Sequence, residues 1–263
     1  MPSVHELYEL WAGETYAELQ EALGQSLEPR GREWLFELFA SLGPQPGQVV
    51  LDIGARDAEH TVRLVREHGL RGIALDPIPE HADRAREAAA GLEIEVVEAG
   101  IEAIPLGDES VDWIWCRDVL VHVELDAGLA ECARVLRPGG RMLAYVNVGT
   151  ELLEPAEARL LADGAAAYNL DAAAIEAAAA AAGFTTEQTI RVDSEWRERM
   201  LEDGEWDAND QLLRLSRLRR REAELVERFG ASAVHAYLAG RLWLVYHVIG
   251  KLAGMVYVWQ RSA

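Results

Sequence analysis

Val50-Leu51-Asp52-Ile53-Gly54-Ala55-Arg56-Asp57-Ala58 opens on an apolar run, sets an acid inside it and breaks at Gly54. A short apolar run closed by glycine reads as a buried strand. Residues 61–68 then take up a helical rhythm. Strand, tight turn and helix in that order make the first half of a βαβ unit. Glycine at the turn lets the backbone approach a ligand closely.

The same alternation continues on the C-terminal side. Strands are expected at 72–75, 94–97, 111–116 and 141–147, with helices at 80–90 and 127–136 between them. Pro138-Gly139-Gly140 leads into the strand at 141–147. Continuous apolar strands separated by helices predict a parallel sheet covered on both faces. Further along come an alanine-rich helix over 171–182, a sixth strand at 189–192 and a last strand within 255–259. The expected architecture is α/β: a doubly wound, mostly parallel, seven-stranded sheet. Residues 1–46 form an N-terminal helical cap and 47–194 the core. Residues 195–250 form a helical insertion before the last strand, which lies in 251–263, and they sit over the ligand edge of the sheet.

Composition narrows the function. The chain has 263 residues, half of them apolar, which is enough for one sizeable core. Its formal charge of −20 repels nucleic acid and anionic membrane, so neither is an expected partner. No apolar run is long and uncharged enough to span a bilayer, and the N-terminus lacks the pattern of a secretion signal. Two cysteines, Cys116 and Cys132, fit a reducing cytoplasm. No Cys or His spacing suits a metal, so none is expected. The oligomeric state is open, a homodimer included.

An open parallel sheet takes ligands beyond the carboxyl ends of its strands. Asp76 closes the second strand, 24 positions after Asp52. A carboxylate there suits the two hydroxyls of a ribose, because it accepts both hydrogen bonds. With these residues the chain resembles the Rossmann-like (class I) S-adenosylmethionine-dependent methyltransferases. Leu51-Asp52-Ile53-Gly54 is similar to the start of that family's first motif. Its next two glycine positions are Arg56 and Ala58 here, and the aspartate usual after the third strand is Gly100. Residues 115–123, containing Cys116, Arg117 and His122, and residues 133–140 resemble the motifs at the fourth and fifth strands. The likeness covers about residues 48–194.

The resemblance implies a cofactor, S-adenosyl-L-methionine, leaving as S-adenosyl-L-homocysteine. It implies that Asp52 faces the methionine amino group and that Gly54 and Ala55 lie along the methionine and ribose. Asp76 holds the ribose, while Pro77 and Ile78 pack on adenine, with Ile101 and Glu102 on its other face. The Cys116 carbonyl, next to Arg117, meets the ammonium. Arg56 is expected to point outward or to pair with the cofactor carboxylate or Asp57.

On the acceptor side, His122 follows the fourth strand and could serve as a general base. It fits equally well as a histidine tying the next helix to a backbone group. Tyr8, Trp11 and Tyr16 suit an aromatic cap over cofactor and substrate, since a helix before the first strand has no place in the sheet. A plain packing stripe is the commoner use of such a pattern. Trp196, Trp243, Tyr246 and His247 lie in the insertion and are candidates for the acceptor pocket. The run 214–221 is basic in an acidic chain; it fits a solvated helix face or a grip on an anionic group.

The expected function is methyl transfer to a small organic metabolite at carbon, oxygen or nitrogen. Two alternatives stand beside it. One is an enzyme of the same fold and cofactor that catalyses a non-methylating reaction such as cyclisation. The other is a non-catalytic binding or regulatory protein.

Overall fold

The structure, a computed structural model, describes residues 2–24, 30–31 and 33–262. Three helices, α1 (Val4–Ala12), α2 (Glu14–Ala22) and α3 (Trp34–Ser41), precede the first strand. The core alternates β1 (Val49–Ile53), α4 (Glu59–His68), β2 (Arg71–Leu75), α5 (Pro79–Ala88), β3 (Ile94–Val97), β4 (Val111–Arg117), α6 (Leu125–Val135) and β5 (Leu136–Gly149). Then come α7 (Pro155–Ala165), α8 (Ala172–Ala181) and β6 (Phe184–Val192). Four helices, α9 (Glu195–Glu202), α10 (Ala208–Arg220), α11 (Glu222–Phe229) and α12 (Ala231–Val248), separate β6 from β7 (Leu252–Arg261).

The seven strands form one sheet in the order β3-β2-β1-β4-β5-β7-β6. All run parallel except β7, which is antiparallel to both its neighbours. This is the expected α/β sheet with a helical insertion before the last strand. The chain reverses direction across the sheet between β1 and β4, and the two connections diverge there. That divergence opens a crevice at the carboxyl ends of these strands.

Each face of the sheet has its own core, because side chains alternate along a strand. Leu51, Ile53, Ile114, Cys116, Met142 and Ala144 face one cluster, with Leu129 of α6 over them. Val50, Trp113, Trp115, Leu143 and Tyr145 face the other. Leu35, Phe36 and Phe39 of α3 are buried in that second cluster, Phe36 stacking on Trp115 at 4.9 Å.

The division at residue 46 is therefore corrected. The stripe 35/36/39 gives α3 one apolar face that belongs to the core, and only α1 and α2 stand apart from it. β6 starts earlier than its apolar run suggested. Thr185, Thr186 and Gln188 are exposed on an edge strand, and pairing with β7 holds them there.

Candidate cofactor and acceptor site

The turn after β1 is built on left-handed backbone. Gly54 has φ 74°, Arg56 52° and Ala58 59°. Gly54 N and Ala55 N both donate to the Leu75 carbonyl, at 2.8 and 3.1 Å, which ties the turn to the end of β2. A Cβ on Gly54 would lie 2.4 Å from Val119 Cγ2, so this position needs glycine for space as well as for φ. Arg56 and Ala58 keep the conformation glycine would give, at a cost of roughly 1–2 kcal/mol each. Asp76 opposes that cost: its Oδ2 accepts from Arg56 N at 3.0 Å. Its Oδ1 accepts from Ile78 N at 2.9 Å and lies 3.0 Å from His81 Nδ1.

A cavity of about 310 Å³ opens at this turn, between the ends of β1 and β4. Asp52, Gly54, Ala55, Arg56, Asp57, His60, Arg117 and Asp118 are among its lining residues. Asp52 is buried, and its Oδ2 accepts from Thr61 Oγ1 at 2.6 Å. Burial pushes its pKa up to about 7, with the Asp76 charge adding to the rise and the Thr61 hydrogen bonds and Arg117 opposing it. A cation beside Asp52 would hold it ionised.

Arg117 is held from two sides. Its Nη1 lies 3.1 Å from His60 Nε2, and its guanidinium lies over the Trp196 ring at 5.4 Å. Trp115 Nε1 lies 3.3 Å from His60 Nδ1. Arg117 and Trp115 present only donors, and a neutral imidazole has one lone-pair nitrogen, so it accepts from one of them at a time. Burial, helped by the Arg117 charge, pushes the His60 pKa down to about 4 and keeps the ring neutral.

Asp118 sits just past β4 with φ 60°. By surface area the residue is half-buried, yet its carboxyl lies deep enough that desolvation raises its pKa, against the charges of Arg117, Arg197 and His122. Asn147 Nδ2 donates to its Oδ1, and Tyr145 Oη donates to Asn147 Oδ1 at 2.9 Å. Asn147 and Tyr145 are buried, so this relay fixes one oxygen of Asp118. Among the described residues no hydrogen bond occupies the other. A strained, oriented acid at a cavity wall is the arrangement a binding or catalytic group takes.

The structure gathers part of the expected site and scatters the rest. Asp52, Gly54, Ala55 and Arg117 line the cavity. Asp76 lies beside it, its carboxylate engaged by three donors, with room for one more hydrogen bond on its remaining lone pair. Pro77 and Ile78 are exposed at the end of β2, where an aromatic ring could rest on them. Ile101 is buried in the core, and Glu102 is exposed. Cys116 is fully buried, its thiol pushed far up by desolvation, which leaves it no nucleophilic role.

For His122 the structure shows the backbone tie that was one of its two expected roles. Its Nδ1 lies 3.0 Å from the Ala166 carbonyl, so Nδ1 carries the proton and ties the loop after β4 to the end of α7. The ring lines a separate cavity of about 420 Å³ together with Glu102, Tyr168 and Asn169.

The acceptor set is corrected as well. Tyr8 and Trp11 are 64% and 53% exposed and Tyr16 is exposed too, because α1 and α2 bury no described residue. Tyr8 packs against Trp11 at 5.3 Å, and none of the three lines the cavity. Trp196 is a core residue, packed on Tyr145 at 5.1 Å, and reaches the site only through Arg117. Trp243 is half-buried against the His247 ring, at 6.0 Å. Tyr246 is buried with the Lys251 ammonium over its ring. His247 is 1% exposed, its Nε2 has no partner, and burial pushes its pKa down to about 3. None of Trp243, Tyr246 and His247 lines the cavity at the β1 turn.

Sequence reasoning passed over Asp118 and its relay. A signal was there: Asn147 is a lone polar residue in an apolar strand run, and Asp118 directly follows a strand at the ligand edge of the sheet.

Residues 51–144 match the family described as a methyltransferase domain. An uncharacterised methyltransferase of Mycobacterium bovis is 40% identical over 129 residues, 49% of this chain and 49% of that protein. The chain thus spans about half the length of such curated relatives. Among solved structures, a protein of Galdieria sulphuraria described as a sarcosine dimethylglycine methyltransferase superposes with TM-score 0.68 at 23% identity, over 88% of this chain and 84% of that one. The [4+2]-cyclase SpnF superposes with TM-score 0.67 at 18% identity, over 98% of this chain and 94% of that one.

Proposed function

Because residues 51–144 match a methyltransferase domain, we propose that the chain is a Rossmann-like S-adenosylmethionine-dependent methyltransferase that transfers the methyl group of S-adenosylmethionine to a small organic acceptor. The observation that carries this reading is the turn at Gly54. It keeps three left-handed residues, two of them non-glycine, and Asp76 clamps it beside a cavity walled by Asp52 and Asp118.

The fit to the cofactor is chemical. Asp52 and Asp118 supply negative charge where a sulfonium and an ammonium need it. Gly54 leaves the backbone bare for close approach. Asp76 keeps one lone pair for a ribose hydroxyl. The bound cofactor supplies an electrophilic methyl carbon whose leaving group is a neutral thioether.

The chain's own work is alignment and exclusion of water. Arg117, set by His60 and Trp196, forms one wall. Asp118, set by Asn147 and Tyr145, accepts a hydrogen bond from the acceptor and turns its nucleophilic atom toward the cavity. An acceptor bearing a proton at that atom gives it to Asp118, whose raised pKa suits the task.

The test is a panel of small amine, hydroxyl and carbon acids incubated with the full chain and the cofactor. S-adenosylhomocysteine accumulating in step with a methylated product supports transfer. Product formed without it moves the chain to the cyclisation reading. No saturable cofactor binding in calorimetry, even at millimolar ligand, removes both.

A further inference from the structure

Away from the cavity the chain carries two surfaces that lack cover and complement one another. The first is the N-terminal arm. In α1, Val4, Leu7, Tyr8 and Trp11 fall at i, i+3, i+4 and i+7, one apolar stripe. In α2, Tyr16 and Leu19 continue it, with Leu23 just past the helix. No described residue of either helix is buried. Helices of nine residues are marginal in water on their own, since isolated ones need about 12–15. The arm therefore needs something to lie on. Glu6, Glu9, Glu14, Glu18 and Glu21 flank its apolar residues, and the first basic side chain of the sequence, histidine aside, is Arg30.

The second surface is a groove of about 430 Å³ between α10, α11 and α12. Its floor is apolar, with Leu218, Leu225, Phe229 and Val234. Phe229 is 55% exposed. Its wall is basic: Arg214 and Arg217 stand one turn apart on α10, and Arg221 follows at the end of that helix. Arg214 pairs with Asp210 and Arg221 with Glu224, while Arg217 has no acidic partner among the described residues. In a chain of charge −20, a guanidinium-walled apolar groove selects an acidic amphipathic occupant.

We propose that this groove receives the N-terminal arm of the same chain, apolar stripe to apolar floor and glutamates to Arg214, Arg217 and Arg221. The root of the arm argues for the same chain over a second copy. Arg30 Nη1 donates to the Arg191 carbonyl at 3.1 Å and lies 3.4 Å from Glu195, at the start of the insertion. From residue 24 to residue 30 the backbone can span at most about 20 Å, so the arm stays close to the insertion. A tether this short gives an effective concentration in the millimolar range. The docking is independent of the methyl-transfer reading.

Amide hydrogen exchange over residues 4–22 of the full chain tests it. Exchange is expected to run at least roughly tenfold slower than in an uncovered helix. It should stay so over about a hundredfold dilution, as a contact within one chain must. The double variant Arg214→Glu/Arg217→Glu should lose the protection, and adding Glu6→Arg/Glu9→Arg should restore part of it. Phe229→Ser should lose it through the apolar half. These side chains are exposed and lie outside the cavity at the Gly54 turn, so an unchanged cooperative thermal melt serves as the folding control. Four results overturn the proposal. They are an unprotected arm in the wild type, protection untouched by both sets of variants, protection that vanishes on dilution together with a dimer in light scattering, and protection only with phosphatidylglycerol vesicles.

Discussion

Gly54 and Arg56 stand two residues apart in one turn and share its left-handed backbone, yet only one of them has to be glycine. At Gly54 any side chain meets Val119, so Gly54→Ala should cost about 1–3 kcal/mol and weaken cofactor binding. Thermal melts and calorimetry read both effects. At Arg56 the side chain is exposed. Arg56→Gly should raise the unfolding free energy by no more than about 1 kcal/mol, relief of the left-handed strain being partly offset by glycine's greater freedom when unfolded. Cofactor affinity should hold or improve; a weaker binder would mean that the arginine itself grips the ligand.

Asp118 is the other strained residue of the site. Asp118→Asn keeps the shape and removes the charge and the basicity. Turnover should fall by roughly 10²–10⁴-fold, cofactor affinity should weaken with the lost charge, and unaltered turnover and affinity would make Asp118 structural. At this scale the sequence revealed what glycine and acid at strand ends reveal: Asp52, Gly54 and Ala55 were legible as a tight turn at the carboxyl end of a strand, where the cavity lies. For His122 the tie to a backbone group was one of two expected readings, but its partner, the Ala166 carbonyl, lies 44 positions away and leaves no mark in the local pattern.

At the scale of elements, the ends of β1, β2 and β4 do the positioning, and β2 acts through Asp76. This one carboxylate accepts from the backbone of two turns, at Arg56 after β1 and at Ile78 after β2. Asp76→Ala leaves those donors without their acceptor. It should lower stability by about 1–3 kcal/mol and weaken cofactor binding as well, seen in denaturant titration and calorimetry. A stable variant with wild-type affinity would release Asp76 from both roles.

The strands were legible because parallel strands buried on both faces are written as unbroken apolar runs, as in β1 and β4. The start of β6 was hidden for the opposite reason, its outer residues being threonine and glutamine at an open edge. The place of α3 was hidden because an amphipathic stripe shows that a helix is buried on one side without naming what it is buried against.

At the scale of the molecule, burial without partners sets the response to pH. His247 is sealed inside the insertion with Nε2 unpaired and its pKa near 3. Unfolded, it takes up a proton near its ordinary value, about 6.5. Above that value neither state is protonated and nothing is lost. As the pH falls from there toward 3, the unfolded chain gains a proton that the folded chain refuses, so stability drops. His247→Leu removes this linkage. The variant should be at least as stable at pH 7, and it should lose less than the wild type between pH 7 and pH 4, by up to roughly 3 kcal/mol. Parallel acid limbs in denaturant melts would contradict the assignment. The expectation of an acceptor pocket inside the insertion failed here for a physical reason. Aromatic and histidine side chains on α12 were needed to seal that helix against the sheet and α7, and sequence pattern alone does not separate a sealed face from an open one.

The most direct measurement is a crystal of the full chain soaked with S-adenosylhomocysteine. The account predicts nucleoside density at the carboxyl ends of β1 and β2, its amino-acid portion between the Gly54 turn and Asp118 and its ribose toward Asp76. A cleft closed by the Arg56 side chain with no nucleoside density, or a nucleoside bound elsewhere, would contradict it.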